Sequence, residues 1–294
     1  MSAGEAESVR TAPPSTAHGI PAVRLSGATL AYGERTLWSG LDLDVRPGQF
    51  LAILGPNGGG KTSLLKVLLG LEQLRGGTGE IAGSPLRRGN PRVGYIPQLR
   101  GFDSDVPLRA RDLVGLGLDG HRWGVGWPSR ARRQRVDELL EQVDATAYAD
   151  VPLGRLSGGE QQRLRVAQAL STDPGVLLCD EPLLSLDLAH QRMVVDLIDR
   201  RRREHDTAVL FVTHEINPIL PLVDLVLYVI DGEFRLGPPD EVMTGEVLSE
   251  LYGAEIEVIR REDRIVVLGA ASTGSPHHHV DHSEGAPIHR DPQL

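Results

Sequence analysis

The chain has 294 residues, 40% of them hydrophobic and 24% charged, the balance of a folded globular protein with ample material for a core. A formal net charge of −9 argues against a general nucleic-acid binder, which would carry a basic surface. No apolar run approaches the roughly 20 residues of a membrane-crossing helix, and the lone cysteine, Cys179, cannot form an internal disulfide, which suits a reducing compartment.

In chain order, Met1 to about Pro21 is polar, rich in Ala, Ser, Thr and Pro, and reads as a disordered lead-in without the apolar centre of a signal peptide. Two strand-like runs follow: Val23-Arg24-Leu25 with Ala28 to Tyr32, and Leu41 to Val45, where apolar and acidic residues alternate as on a half-exposed strand. Gly33 to Thr36 reads as the turn between them, and Arg46-Pro47-Gly48 as the next. A buried strand, Phe50 to Leu54, leads into Gly55-Pro56-Asn57-Gly58-Gly59-Gly60-Lys61-Thr62, and Ser63 to Leu69 carries helical spacing. Glycine, four residues, then Gly-Lys-Thr between a strand and a helix is the phosphate-binding P-loop in its required setting. Glycines let backbone N–H groups approach a polyphosphate that side chains would obstruct. The helix start adds the positive end of its dipole. Lys61 reaches the terminal phosphates, and the Thr62 hydroxyl can hold Mg²⁺.

Beyond the helix, Gly76 to Gly79 reads as a break before a short strand, Glu80 to Ala82, and Val93 to Pro97 as another strand ended by proline. From Gln98 to about Leu170 strand signals vanish, while Leu108–Leu116, Ala131–Val143 and Glu160–Leu170 carry helical spacing around a loop at Gly120 to Pro128. Continuous apolar runs then return at Gly175–Asp180 and Ala208–Thr213, as strands buried in a parallel sheet do, with a helix between them from about Leu188 to Glu204. Leu225–Ile230 turns at Asp231-Gly232 into Glu233–Leu236, Asp240–Tyr252 reads as helix, and Ile256–Ile259 with Arg264–Leu268 as a hairpin. The basic runs Arg130–Arg133 and Arg200–Arg203 read as solvated helix faces. The chain shows no internal repeat, so one nucleotide cassette is expected. From residue 269 onward it is polar and reads as a disordered tail.

Two further patterns narrow the chemistry. Val176-Leu177-Leu178-Cys179-Asp180-Glu181 is a buried strand ending in two carboxylates, the Walker B pattern. Asp180 is suited to Mg²⁺ and Glu181 to orienting or deprotonating the attacking water. Leu156-Ser157-Gly158-Gly159-Glu160 opens a helix. Ser157 and Glu160 have capping-box spacing, and the same start presents N–H groups and a hydroxyl to an anion.

Together these motifs resemble the ATP-binding-cassette (ABC) ATPases over about Ala22 to Leu268. Leu156 to Glu160 resembles the family signature. Tyr32 sits where its adenine-stacking aromatic falls, and Gln98 resembles the Q-loop glutamine. Ser185-Leu186-Asp187 resembles the D-loop, although Leu183-Leu184 replaces the smaller or polar residues commoner before it. His214 resembles the switch histidine. The resemblance implies an α/β fold: a P-loop NTPase (RecA-like) core with an antiparallel β subdomain and a helical subdomain inserted at about 99–171. It implies a homodimer in which ATP and Mg²⁺ lie between Gly55, Asn57, Gly58, Gly60, Lys61, Thr62, Ser63, Gln98 and Asp180 of one subunit and Ser157, Gly158 and Gly159 of the other. Glu181, His214 and Gln98 take the catalytic roles, with Gln98 also sensing Mg²⁺.

It further implies a separate transmembrane permease docked near Leu99 to Gly117, a substrate-binding protein, no nucleic acid, and a place on the cytoplasmic face of the membrane. Val212 to Leu220, Leu99 to Val114 and Tyr252 to Leu268 are similar to cassettes serving manganese, zinc and iron importers. Siderophore, haem or an exported cargo, or a soluble ABC ATPase acting on nucleic acid or the ribosome, remain the alternatives. In the tail, His277, His278, His279 and His282 with Asp281 have the donors of a first-row metal site; a solvated tail without a role and part of a purification tag are the competing readings.

Overall fold

A computed structural model describes residues 19–98, 107–120, 129–261 and 264–269. The lead-in up to residue 18, the 121–128 stretch and the tail beyond 269, including His277, His278, His279 and His282, lie outside the described residues. Strands β1 (Val23–Tyr32) and β2 (Arg35–Val45) pair antiparallel along their length. Their alternating burial follows the alternation of apolar and polar residues, with Val23, Leu25, Leu41, Leu43 and Val45 inward. The run expected at Val23-Arg24-Leu25 with Ala28 to Tyr32 is one strand, with a register shift between Leu25 and Ala28, as an extra residue on one strand produces. The turn is shorter than expected, because Arg35 and Thr36 already pair with Tyr32 and Ala31.

Strand β3 (Phe50–Leu54) delivers the phosphate loop to α1 (Lys61–Leu68). Strand β4 (Gly76–Ile81) pairs with β1 on one side and with the short β5 (Ser84–Pro85) on the other, completing a four-stranded sheet. Gly76 to Gly79, expected as a break, are therefore strand. A Cβ on Gly77 would stand 2.4 Å from the Gly27 carbonyl, and one on Gly79 2.5 Å from Leu86, so these glycines permit close strand approach.

Strand β6 (Val93–Ile96) is followed by the helical layer: α2 (Ala110–Asp119), α3 (Arg130–Gln142) and α4 (Gly158–Ala169). The chain returns through β7 (Val176–Asp180), α5 (Leu188–His205), β8 (Ala208–Val212), β9 (Leu225–Ile230) and β10 (Glu233–Gly237). The central sheet has the order β10-β9-β3-β8-β7-β6, parallel throughout except for β10. Its inner strands β3, β7, β8 and β9 are apolar on both faces because each feeds two cores. Phe50, Ala52, Leu177, Cys179, Val209 and Phe211 face the core shared with α4 and α5, while Leu51, Ile53, Leu178, Leu210 and Val212 face the one shared with α1 and the antiparallel sheet.

The helix expected over Asp240–Tyr252 is two, α6 (Pro239–Val242) and α7 (Gly245–Tyr252). Thr244 interrupts them and caps α7, its Oγ1 accepting from the Val247 N–H at 3.3 Å. Strands β11 (Ile256–Arg261) and β12 (Arg264–Gly269) form the expected hairpin. The basic runs serve structure in part. Arg201 bonds Asp173, Thr207 and the Pro174 carbonyl, Arg202 joins Asp199 to the Gly48 carbonyl, and Arg132 pairs with Asp119.

Candidate functional site

The C-terminal edge of the parallel sheet collects the site, as crossover connections on such sheets dictate. Gly55 leaves β3 at φ 133, where a Cβ would fall 1.9 Å from the Val229 carbonyl oxygen of β9. Gly58 and Gly60 hold φ of 83 and 92, a backbone region that side chains resist. A Cβ on Gly60 would meet the Trp38 ring at 3.0 Å. The loop is thus a backbone cradle packed so closely on Val229 and Trp38 that side chains at Gly55 and Gly60 would collide with them, with Asn57 exposed on it and Ser63 half-buried just inside α1.

Lys61 is buried, and its Nζ donates to the Gly55 and Pro56 carbonyls at 2.7 and 2.8 Å, two of the three bonds an ammonium can make. Burial lowers its pKa, while the carboxylates of Glu181 and Asp180 raise it. A buried ammonium facing carbonyl oxygens is a receptor for a polyanion, whose arrival supplies the charge that burial withholds. Thr62 Oγ1 donates to Asp180 Oδ1 at 3.0 Å. Tyr95, on the neighbouring β6, donates to Asp180 Oδ2 at 3.3 Å. Burial raises the Asp180 pKa, more than its bonds from Thr62 and Tyr95 lower it, and the Glu181 charge adds to the rise. Tyr95 is itself pushed up to about 12, by burial first and by Asp180 second, so it stays a donor at neutral pH. The Thr62 hydroxyl and the Asp180 carboxylate are hard oxygen donors at hydrogen-bond distance from each other, a donor set that fits Mg²⁺.

Glu181 follows with φ 48, a strained setting for a non-glycine residue of the kind that concentrates at functional sites. Its N–H donates to the Val212 carbonyl at 3.0 Å. One carboxylate oxygen lies 2.6 Å from His214 Nε2, and the other accepts from Gln98 Nε2 at 3.1 Å. Gln98 and His214, both far from Glu181 in the chain, thus converge on its carboxylate, held between a donor from the end of β6 and one from the end of β8.

Ser157 caps α4. Its Oγ accepts from the Glu160 N–H at 3.3 Å, while Glu160 accepts from the Ser157 N–H at 2.8 Å, a complete capping box. Gly158 and Gly159 open the helix, and a Cβ on Gly159 would meet the His190 ring at 2.0 Å. His190 is held by Asp187, which caps α5 and accepts from the His190 N–H at 2.9 Å, with the ring Nδ1 2.8 Å from the second oxygen. Among the described residues no hydrogen bond joins Ser157, Gly158 or Gly159 to the phosphate loop. Tyr32 ends β1, 43% exposed and available for stacking.

Tyr95 and Trp38 were not legible as site residues. Tyr95 could have been found from its place two residues before Pro97 on a strand adjoining β7, whereas nothing local in sequence ties Trp38 to Gly60. Among the described residues no cluster of three or more His, Cys, Asp or Glu could hold a metal ion, and no helix is long and apolar enough to cross a membrane.

A protein-family model described as "ABC transporter" matches residues 38–184. A manganese transport system ATP-binding protein of Halalkalibacterium halodurans is 28% identical over 251 residues, covering 84% of this chain and 98% of the relative. A zinc transport system ATP-binding protein of Treponema pallidum is 32% identical over 238 residues, covering 80% and 88%. Among solved structures, a dimeric ATP-binding cassette in a post-hydrolysis state, bound to ADP and phosphate, is 27% identical with a TM-score of 0.61, covering 74% of this chain and 98% of its own.

Proposed function

This chain belongs to the ABC transporter family, and from that premise we propose that it is the ATP-hydrolysing subunit of a divalent-metal importer, working as a homodimer beside a separate membrane permease. The observation that carries the catalytic reading is the convergence of Gln98 and His214 on the Glu181 carboxylate, next to the Lys61–Thr62–Asp180 cluster. We read residues 22–268 as the ATPase domain, with the helical insertion at about 99–171.

Each residue then has a task. The glycine backbone and Lys61 bind the phosphates of ATP. Thr62 and Asp180 would hold Mg²⁺, with Gln98 sensing it from its place on Glu181; the cation would neutralise phosphate charge. Tyr32 stacks on the adenine. Glu181 accepts a proton from the attacking water while the water oxygen bonds to the terminal phosphorus and the bond from that phosphorus to the ADP oxygen breaks. His214 steadies Glu181 and donates toward the transferred phosphate.

One phosphate loop covers only part of a triphosphate. Ser157, Gly158 and Gly159 present a second anion-binding helix start that the partner subunit contributes across the seam. ATP therefore holds two subunits together and its hydrolysis releases them. The dimeric post-hydrolysis relative supports that assembly. The relatives that are named for manganese and zinc transport support the cargo class, and the absence of a crossing helix among the described residues fits a permease on another chain.

The test is a deletion strain in which cell-associated Mn, Zn and Fe are measured, together with recovery of the membrane partner on the tagged chain. The reading requires one of these metals to fall and to return with the wild-type chain but not with Lys61→Ala. Unchanged metal content, with a permease for another cargo recovered, contradicts the metal assignment.

A further inference from the structure

The hairpin of β11 and β12 carries none of the motifs that bind nucleotide, yet it is fastened to the segment that holds His214. Asn217, three residues beyond His214, uses its whole carboxamide on the backbone of Ile265. Nδ2 donates to the Ile265 carbonyl at 3.0 Å, and Oδ1 accepts from the Ile265 N–H at 2.8 Å. A paired amide of this kind fixes direction as well as distance. Ile265 is the one residue of β12 that turns fully inward, 4% exposed, while Arg264 and residues 266–269 are exposed. The fastening is therefore at the point where the hairpin enters the body of the protein.

The segment between His214 and Asn217 transmits that position. Thr213 Oγ1 donates to the Glu215 carbonyl at 3.0 Å and accepts from the Glu215 N–H at 3.1 Å, and the Ile219 N–H donates to the Ile216 carbonyl at 2.9 Å. These bonds close the turn into a stiff unit, with Ile216 and Ile219 buried. A cavity of about 330 Å³ is lined by His214 and Asn217 of the segment and by Ile265 and Val267 of the hairpin, together with Pro56 and Tyr252. A void offers few packing atoms, so beside the packing of Ile216, Ile219 and Ile265 in one core it is the amide pair that fixes the direction and register of the turn against the hairpin. His214 is 38% exposed and reaches Glu181 at 2.6 Å, a contact that a small displacement of the turn would break.

We infer that Asn217 is a positioning residue for ATP hydrolysis, holding the His214 turn in register with Glu181 by fastening it to the C-terminal hairpin through Ile265. The hairpin is thereby a mechanical input to turnover: whatever shifts it shifts His214 while leaving the phosphate loop in place. This rests on the assignment of Glu181 and His214 above. Positional errors near 1 Å can cost up to about a hundredfold in rate, so loss of the fastening should cost about tenfold in kcat.

The experiment uses the full chain and follows ATP turnover, nucleotide affinity and thermal unfolding for wild type, Asn217→Ala, Asn217→Asp, Glu181→Gln and, as a hairpin control on the outer face, Val266→Thr. Expected are a roughly tenfold fall in kcat for Asn217→Ala with KM for ATP within twofold, an intermediate fall for Asn217→Asp, which keeps only the bond from the Ile265 N–H, and wild-type values for Val266→Thr. A purely structural role would lower the unfolding temperature without this separation of kcat from KM. Folded Asn217→Ala with kcat within twofold of wild type, or a loss confined to KM, overturns the inference. Should Asn217→Ala not fold, Asn217→Asp decides by the same criterion. If Glu181→Gln is inactive while the Asn217 variants match wild type, only the positioning role fails. If Glu181→Gln turns over like wild type, the catalytic assignment fails and takes this inference with it.

Discussion

Replacing Gly60 with alanine separates what the backbone of the phosphate loop contributes from what its side chains contribute. Gly60 sits at φ 92, and placing a Cβ in the left-handed region costs about 1–2 kcal/mol. The added carbon would stand 3.0 Å from both Cδ1 and Nε1 of Trp38, a residue only 2% exposed, and crowding of this sort in a packed core adds on the order of 1 kcal/mol. A total of about 2–3 kcal/mol corresponds to a fall of roughly 4–12 °C in unfolding temperature for a domain of this size.

Gly33 supplies the control, since it also has positive φ (60) but nothing within 4 Å of its missing Cβ. Gly33→Ala should show the backbone cost alone and keep the stabilisation that ATP confers. Gly60→Ala should fall further and lose that stabilisation, because the loop can no longer close on the phosphates. Thermal unfolding of both variants with and without ATP reads the difference. Equal unfolding temperatures for the two, with the ATP-dependent shift intact in Gly60→Ala, would refute the backbone-cradle argument.

Asp180→Asn tests the electrostatics. Burial raises the Asp180 pKa, so the folded state disfavours its charge; that cost is complete above the raised pKa and fades as pH falls through it toward the ordinary value. Without nucleotide, Asp180→Asn should be at least as stable as wild type at pH 7.5, with the advantage shrinking toward pH 4, and it should lose the Mg²⁺-dependent part of ATP binding; lower stability at pH 7.5 sinks the argument. Tyr32→Ala should weaken ATP binding by about tenfold, since stacking of a base on an aromatic is worth ~1–3 kcal/mol, while Tyr32→Phe should bind as wild type does; titration with a fluorescent ATP analogue distinguishes them, and equal affinity for all three removes Tyr32 from the site.

Much of this architecture is written in local patterns. The runs at Phe50–Leu54, Val176–Asp180 and Ala208–Val212 contain almost nothing polar because both faces of the sheet are covered, and that composition is visible without coordinates. The phosphate loop and the cap at Ser157 are legible for the same reason: a few adjacent residues determine them. What escapes is whatever depends on partners distant in sequence. Gly76 to Gly79 look like a break until Leu25 and Ser26 are placed opposite Gly79 and Thr78. The split between α6 and α7 depends on Thr244 preferring a cap to a place inside a helix. Tyr95 joins the site only because β6 lies beside β7, and Asn217 reaches β12 across 48 residues.

If Glu181 drives ATP hydrolysis in a seam built by two copies of the chain, Glu181→Gln must separate turnover from assembly. With ATP and Mg²⁺ present, this variant should lose turnover and elute from a sizing column as a dimer that reverts to monomer when ATP is withdrawn. A variant that still hydrolyses ATP at the wild-type rate, or that stays monomeric in saturating ATP, contradicts it.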